Sequence, residues 1–221
     1  MCEVATTSTK EMARLMVGRE VTFELAKKVP KYGKEVLKVE HLTVKDKNNF
    51  EVVKDVSFSI RSGEVFAIAG VSGNGQVEIA DAIAGLMPVT EGKILLNNED
   101  ITHMSIRKRT EAGIGYIPED RQTYGLLLDF TVAENAVLKD YFKPEFCEKG
   151  ILKREKFDTY GNQMIEKYDI RSGQGVKTQV RSMSGGNQQK IIIAREIERD
   201  VPFIIFVQPT RGLDIGCLLY T

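Results

Sequence analysis

Tryptophan is absent from the 221 residues, and histidine and cysteine are nearly so, at two and three. Cys2, Cys147 and Cys217 are scattered, which excludes a disulfide framework and the paired spacing of a zinc site. His41 and His103 lie far from one another and from any cysteine pair, so both are expected to be structural surface residues. No apolar run approaches the ~18 residues of a membrane-crossing helix, and the N-terminus lacks the apolar core of a signal peptide. An excess of either charge is missing too. Lys+Arg and Asp+Glu are both 31, so bulk electrostatics give no support for a nucleic-acid or anionic-membrane partner. The expectation is a soluble cytoplasmic protein with one large domain, or one domain plus pieces of another.

Glycine, by contrast, is concentrated where it can do chemistry. Val65-Phe66-Ala67-Ile68-Ala69 is a short apolar run of the kind expected to form a buried parallel strand. It stops at Gly70-Val71-Ser72-Gly73-Asn74-Gly75-Gln76-Val77, and Glu78 to Leu86 follow with Ile79, Ala82, Ile83 and Leu86 at helical spacing. The glycines have the spacing of a phosphate-binding loop, G-x-x-x-x-G-K-[ST]. Glycines there let backbone N–H groups converge on an anion at a helix N-terminus, where the dipole also favours negative charge. Gln76 stands where the lysine belongs and Val77 where the serine or threonine belongs. Taken alone, the loop is equally compatible with a ligand-free turn from strand to helix.

Before this loop, residues 6 to 19 read as a helix with a Ser8–Glu11 capping box, an apolar face of Met12, Leu15 and Met16, and Gly18 at its end. Residues 27 to 34 read as a linker. Short strands are expected at Val36–Val39, Val52-Val53, Val56–Ile60, Lys93–Leu96 and Ile114–Ile117, with a hairpin turn at Asn97-Asn98. Thr131 to about Val180 is expected to be mostly helical, with Ala133, Val137 and Leu138 on one face and Phe157, Tyr160, Met164, Ile165 and Tyr168 on another. Ser184, Gly185 and Gly186 then open a helix through Ile197, a second place where free N–H groups and a hydroxyl point outward together. A strand at Phe203–Val207 ends at Gln208-Pro209-Thr210-Arg211-Gly212-Leu213-Asp214. Alternating strands and helices indicate an α/β sheet with working loops at the carboxyl ends of its strands.

Ser184-Gly185-Gly186-Asn187-Gln188-Gln189-Lys190 resembles the signature motif of ABC transporter ATPases, and Gly115-Tyr116-Ile117-Pro118-Glu119-Asp120-Arg121 resembles the segment that holds their Q-loop. With the glycine loop and Gln-Pro-Thr-Arg-Gly-Leu-Asp, the four motifs are similar to the second half of the fused double-ATPase subunit of bacterial simple-sugar and nucleoside importers. The resemblance covers residues 6 to 216. It implies an ABC-type P-loop NTPase: a mixed α/β sheet core, an antiparallel β region and a helical subdomain, with the C-terminal part missing. Residues 1–20 would be the tail of a preceding ATPase domain, 21–35 a linker, and 36–221 the nucleotide-binding domain, cut after its D-loop. The last five residues, Cys217-Leu218-Leu219-Tyr220-Thr221, depart from the family and match one reading frame of a transposon-end sequencing adapter, so the chain is expected to be a fragment.

The resemblance also implies the chemistry. ATP and Mg²⁺ would be the cofactors, held at Gly70, Ser72, Gly73, Asn74, Gly75, Gln76 and Val77, with Glu119 replacing the Q-loop glutamine and offering an oxygen to the metal. Val207 occupies the place of the metal-orienting aspartate and Gln208 that of the catalytic glutamate, and an amide cannot accept a proton at neutral pH. No catalytic group is intact, so this half is expected to bind ATP weakly and not turn it over, or to hold an empty site. Ser184, Gly185, Gly186, Asn187 and Gln188 would act in trans on the nucleotide of the first half, with Asp214 crossing the seam. The implied partners are that first ATPase half, transmembrane permease subunits contacted between Glu119 and about Phe142, and indirectly an extracytoplasmic substrate-binding protein. No nucleic acid is implied. The place is the cytoplasmic face of the membrane, peripherally. A regulatory module that holds ATP without turnover is the rival reading, and a free-standing P-loop kinase or GTPase has no use for the Ser-Gly-Gly-Asn stretch. For adenine stacking only Phe50 is near, and a core role fits it equally.

Overall fold

The computed structural model describes Ser8, Glu11, Leu15 and residues 30–210. Glu11 and Leu15 are helical, and the Glu11 N–H donates to Ser8 Oγ at 3.2 Å, the first half of the expected cap. The rest of that helix, most of the linker, Asp214 and the divergent tail lie outside the described residues. Two compact bodies divide the remainder. Residues 30–117 with Glu196–Val207 make one, and Pro118–Arg195 lies in the other.

The first body is built on an antiparallel sheet in the order β2-β1-β3-β4, formed by β1 (Glu35–Lys45), β2 (Glu51–Arg61), β3 (Glu91–Leu96) and β4 (Glu99–Asp100). Strand β1 is central, pairing Leu37 and Val39 with Ile60 and Phe58 on one side and with Leu96 and Ile94 on the other. Its buried residues run Leu37, Val39, then Leu42 and Val44, a break in alternation. His41 at φ 50° and Asp55 at φ 47° explain the break: the register shifts between Val39 and Leu42 as a bulge re-aims the strand. Both histidines are exposed, and His41 Nδ1 lies 2.7 Å from Asp55 Oδ1. The Asn97-Asn98 turn has both residues at positive φ, as a tight hairpin requires.

On this sheet packs α1 (Gln76–Ala84), through Ile79, Ala82 and Ile83. It ends at Gly85, whose φ of 86° is the left-handed cap conformation. A short helix, α2 (Ile106–Glu111), is capped by Ser105 and leads to β5 (Ile114–Ile117), which pairs in parallel with β8 (Phe203–Phe206). The expected strands at Val52-Val53 and Val56–Ile60 are one strand, β2, joined through the bulge.

One expectation fails here. Val65–Ala69 forms no strand and is exposed, Val65 at 96%. Neither β5 nor β8 pairs with it, so an apolar run suited to a sheet interior has no flanking strand among the described residues. Phe66 is partly sheltered by stacking on Phe58, with ring centroids 5.0 Å apart. Phe50 is 70% exposed, which removes its core role.

The second body is helical with little sheet. It holds a π-helical turn (Arg121–Gly125), α3 (Val132–Ala136), the hairpin β6 (Cys147–Glu148) and β7 (Ile151–Leu152), α4 (Arg154–Lys167), and α5, which starts at Gly185 and extends to Glu198. A complete capping box starts α3: Thr131 Oγ1 accepts from the Glu134 N–H, and Glu134 Oε2 accepts from the Thr131 N–H. Residues 137–153 are not helical, which corrects the expectation of helix from Thr131 onward. Pro144 stands in the stretch, and Lys149-Gly150 takes two positive φ angles to turn the hairpin. Ala133, Val137, Phe146, Phe157 and Val176 form the core. Helices α3 and α4 approach closely at Gly161, where a Cβ would lie 3.1 Å from Ala133 Cα.

Candidate nucleotide-binding site

Two candidate anion-binding constellations are present, one in each body. In the first body, the loop from Gly70 to Gly75 leads into α1. Gly73 and Gly75 have φ of 89° and 94°, a conformation that side chains with a Cβ avoid. A Cβ on Gly75 would also sit 2.7 Å from the Val52 carbonyl oxygen, whereas nothing lies within 4 Å of where a Gly73 side chain would point. The loop backbone is therefore open and suited to phosphate. No side chain caps α1, and Ser72 and Asn74 are exposed.

Gln76 does not reach outward in this structure. Its Nε2 donates to the Val71 carbonyl at 3.2 Å and packs over Gly70, so the residue in the lysine's place closes on its own loop. The metal side does not fit. Val77 has no hydroxyl, Val207 is buried among apolar side chains, and Gln208 is exposed at φ 46° with an amide in place of a base. No group of three His, Cys, Asp or Glu among the described residues could hold a metal ion. Glu119 belongs to the second body, half-buried.

The helix that carries the loop is held at two points that the sequence did not disclose. Tyr116 on β5 donates its hydroxyl to Asp81 Oδ1 at 2.5 Å. Burial pushes the Asp81 carboxyl up, and the Tyr116 bond pulls it back. Arg109 on α2 is buried and donates to four carbonyls: Ala82 at 2.6 Å, Ile83 at 2.8 Å, Thr102 at 2.6 Å and Met104 at 3.1 Å. Two of these lie at the C-terminal end of α1, where the Ala82 carbonyl also accepts from the Gly85 N–H at 3.2 Å. Burial lowers the Arg109 pKa.

In the second body the helix α5 begins at Gly185, as the sequence indicates. Ser184 Oγ accepts from the Asn187 N–H at 3.4 Å and from Asn187 Nδ2 at 2.9 Å. Asn187 Oδ1 in turn accepts from the Arg171 N–H at 2.8 Å. Ser184 is exposed, and its oxygen caps the helix. Gly185 and Gly186 follow with their N–H groups in the first turn. Gln188 sits differently from Ser184 and Asn187. It is 2% exposed, accepts from Gln122 Nε2 at 3.1 Å and donates to the Val180 carbonyl at 3.0 Å, so it fastens the turn and does not face a ligand. A cavity of about 460 Å³ opens beside Ser184 and Asn187, lined also by Arg171, Gln174, Lys177 and Met183.

A glycine loop opening a helix beside an antiparallel sheet, with a Ser-Gly-Gly helix start in a separate helical body, defines the ATP-binding cassette class. The family description "ABC transporter" matches residues 53–211, and the chain belongs to that family. It is 44% identical over 216 residues to the guanosine import ATP-binding protein NupO of Bacillus subtilis, covering 98% of this chain and 42% of that protein. It is 43% identical to the nucleoside import ATP-binding protein NupA of Lactococcus lactis, covering 99% and 43%. The chain thus spans less than half the length of these relatives. Among solved structures, the ATP-binding cassette MJ1267 superposes with a TM-score of 0.68 at 24% identity, covering 85% of this chain and 74% of that one. The dimeric cassette MJ0796 gives the same TM-score and identity, covering 83% and 78%. These structures show the same fold. No helix among the described residues is long and apolar enough to cross a membrane.

Proposed function

We propose that this chain is the second ATP-binding half of an ABC importer for nucleosides or simple sugars, with a degenerate site of its own and a signature motif that completes the site of the first half. The relatives' names, guanosine and nucleoside import, support the substrate class. The carrying observation is the contrast between the two constellations. The Ser184–Asn187 turn is capped and braced, while Gln76 is bonded to its own loop and no carboxylate stands at Val207 or Gln208.

When bound, ATP supplies the phosphoanhydride energy that drives uptake. At the shared site, the Ser184 hydroxyl and the Gly185 and Gly186 N–H groups would donate hydrogen bonds to the phosphate end of the first half's nucleotide, stabilising its charge without a side-chain cation. In the chain's own loop, the N–H groups from Gly73 to Val77 would hold phosphate weakly. The amide at Gln208 cannot act as a base. The partners are the first ATPase half, permease subunits contacted between Glu119 and Phe142, and through them an extracytoplasmic substrate-binding protein. The place is the cytoplasmic face of the membrane. In the importer, Gly185→Asp, which sets a carboxylate against the phosphate, is expected to abolish uptake, while Gln76→Ala changes it little. Equal loss from both would refute the division of roles.

A further inference from the structure

Gly185 opens α5, and its φ lies outside the left-handed region, so the backbone itself does not call for glycine. Glycine is a poorer helix former than alanine, which raises the question of what keeps a side chain out. The structure supplies the answer. A Cβ on Gly185 would overlap Arg121 Nη2 and lie 3.1 Å from its Cζ and 3.4 Å from its Nε. The guanidinium lies against the bare Cα.

Arg121 begins the π-helical turn that follows Glu119, and that turn is fastened along one face of α5. Gly185, Gln188, Ile192 and Arg195 succeed one another at steps of three, four and three, which keeps them in one stripe. Each meets the turn: Gly185 meets Arg121, and Gln188 accepts from Gln122. Ile192 fills the place where a Cβ on Gly125 would fall, and Arg195 Nη2 donates to the Gly125 carbonyl at 3.0 Å. Asp120 closes the turn from its other end, accepting from the N–H groups of Gln122 and Thr123 and from Thr123 Oγ1. The two glycines are reciprocal, each admitting a large side chain from the opposite element.

We infer that Gly185 is glycine because Arg121 occupies the space of its side chain, and that Arg121 is a positioning residue locking the Glu119-bearing segment to the Ser184–Gly186 turn. Arg121 then sets where Ser184 and the first N–H groups of α5 stand. Its effect on turnover rests on the proposed role of that turn, but the steric claim does not.

The test is a double-mutant cycle in the assembled importer, reading ATP turnover (kcat and KM separately), with the thermal midpoint of this chain measured in parallel. Gly185→Ala is expected to lower kcat on the order of tenfold by displacing the turn, with KM nearly unchanged. Combining it with Arg121→Ala is expected to restore kcat to the level of Arg121→Ala alone, because the clash is gone. Arg121→Lys, with a slimmer head, is expected to rescue Gly185→Ala further. A double variant no better than Gly185→Ala would overturn the inference and leave glycine serving phosphate approach alone. A harmless Gly185→Ala would overturn it as well. If Gly185→Ala does not fold, folding of the Arg121→Ala/Gly185→Ala pair supports the inference, and its failure to fold overturns it. Ser184→Arg separates the two readings: unchanged turnover there refutes the role of the signature turn itself, whatever the cycle shows.

Discussion

Arg109→Met should destabilise the first body far more than its place in a run of basic residues suggests. Arg107, Lys108 and Arg109 are consecutive, yet only Arg109 is buried, at 2% exposure. Its side chain satisfies four carbonyls, among them Ala82 and Ile83 at the end of α1. A hydrogen bond from a charged donor contributes roughly 1.5–3 kcal/mol, and a buried carbonyl left without a donor costs a similar amount. The sum is not additive, and burying the guanidinium is itself costly, as its lowered pKa indicates. Methionine keeps most of the packing volume, so the expected loss is about 3 kcal/mol from the polar groups. For a domain of this size that is a fall of about 6–12 °C in thermal midpoint.

Urea denaturation checks this, with Arg107→Met as the control. Arg107 pairs with Glu111 across one helical turn at 2.9 Å, on side chains that are 61% and 44% exposed. That pair is expected to contribute only about 0.3–0.5 kcal/mol. If Arg109→Met costs no more than Arg107→Met, the four carbonyls are being satisfied by water and the clamp on α1 is refuted. Arg109→Lys should fall between the two, since one ammonium cannot reach four carbonyls in the directions a planar guanidinium does.

Two further outcomes are expected. Tyr116→Phe removes the donor to Asp81 and should cost about 1–3 kcal/mol at neutral pH. Burial already raises the Asp81 carboxyl, and losing the bond raises it further, so the folded state then binds the proton more tightly than the unfolded one. The deficit of Tyr116→Phe should therefore shrink as pH falls through the raised folded pKa, and a deficit constant with pH would refute the link. Glu134 has the opposite sign. The Thr131 backbone bond and the Arg154 ion pair hold its carboxyl below the usual range. Its contribution is present above about pH 4.3 and is lost as pH falls through the lowered folded value. Glu134→Gln should flatten that acid limb in a denaturation series, and an unchanged limb would assign it to other carboxylates.

Local chemistry was legible in the sequence, and long-range satisfaction was not. Asn97-Asn98 as a turn and Gly185 as the start of a helix rest on bonds within a few residues, and the structure contains both. The helix expected to run to Leu86 ends at Ala84, with Gly85 in the left-handed cap conformation. Val65–Ala69 shows the converse. Its composition records suitability for a sheet interior, but burial depends on flanking strands that composition cannot supply. In the stretch 137–153 the apolar spacing suggested helix, but Pro144 and Lys149-Gly150 carried the turn signal. Arg109 and Arg121 were unreadable for a related reason. An arginine in a charged run is usually solvated, and nothing local distinguishes the one whose guanidinium enters the fold.

The two anion-binding constellations differ in what holds them before any ligand arrives. The start of α5 is fixed from three directions: by the Ser184 and Asn187 side chains of its own turn, by the Arg171 backbone N–H of the preceding loop, and by Arg121 with Gln122 of the π-helical turn. The loop before α1 has no capping side chain, and the Gln76 amide donates to the Val71 carbonyl of the loop itself. A site preorganised by its own protein loses little entropy on binding, whereas a loop that must first release a bond and order itself binds more weakly by that amount. Gln76→Lys tests this. If Gln76 is only a weak donor, lysine alone should raise ATP affinity at least tenfold through charge. If the missing hydroxyl at Val77 and the missing carboxylate at Val207 dominate, the added lysine should leave Mg²⁺-dependent binding unchanged. A gain in affinity that does not depend on Mg²⁺ would locate the defect in phosphate grip, and no gain under either condition would locate it in the metal.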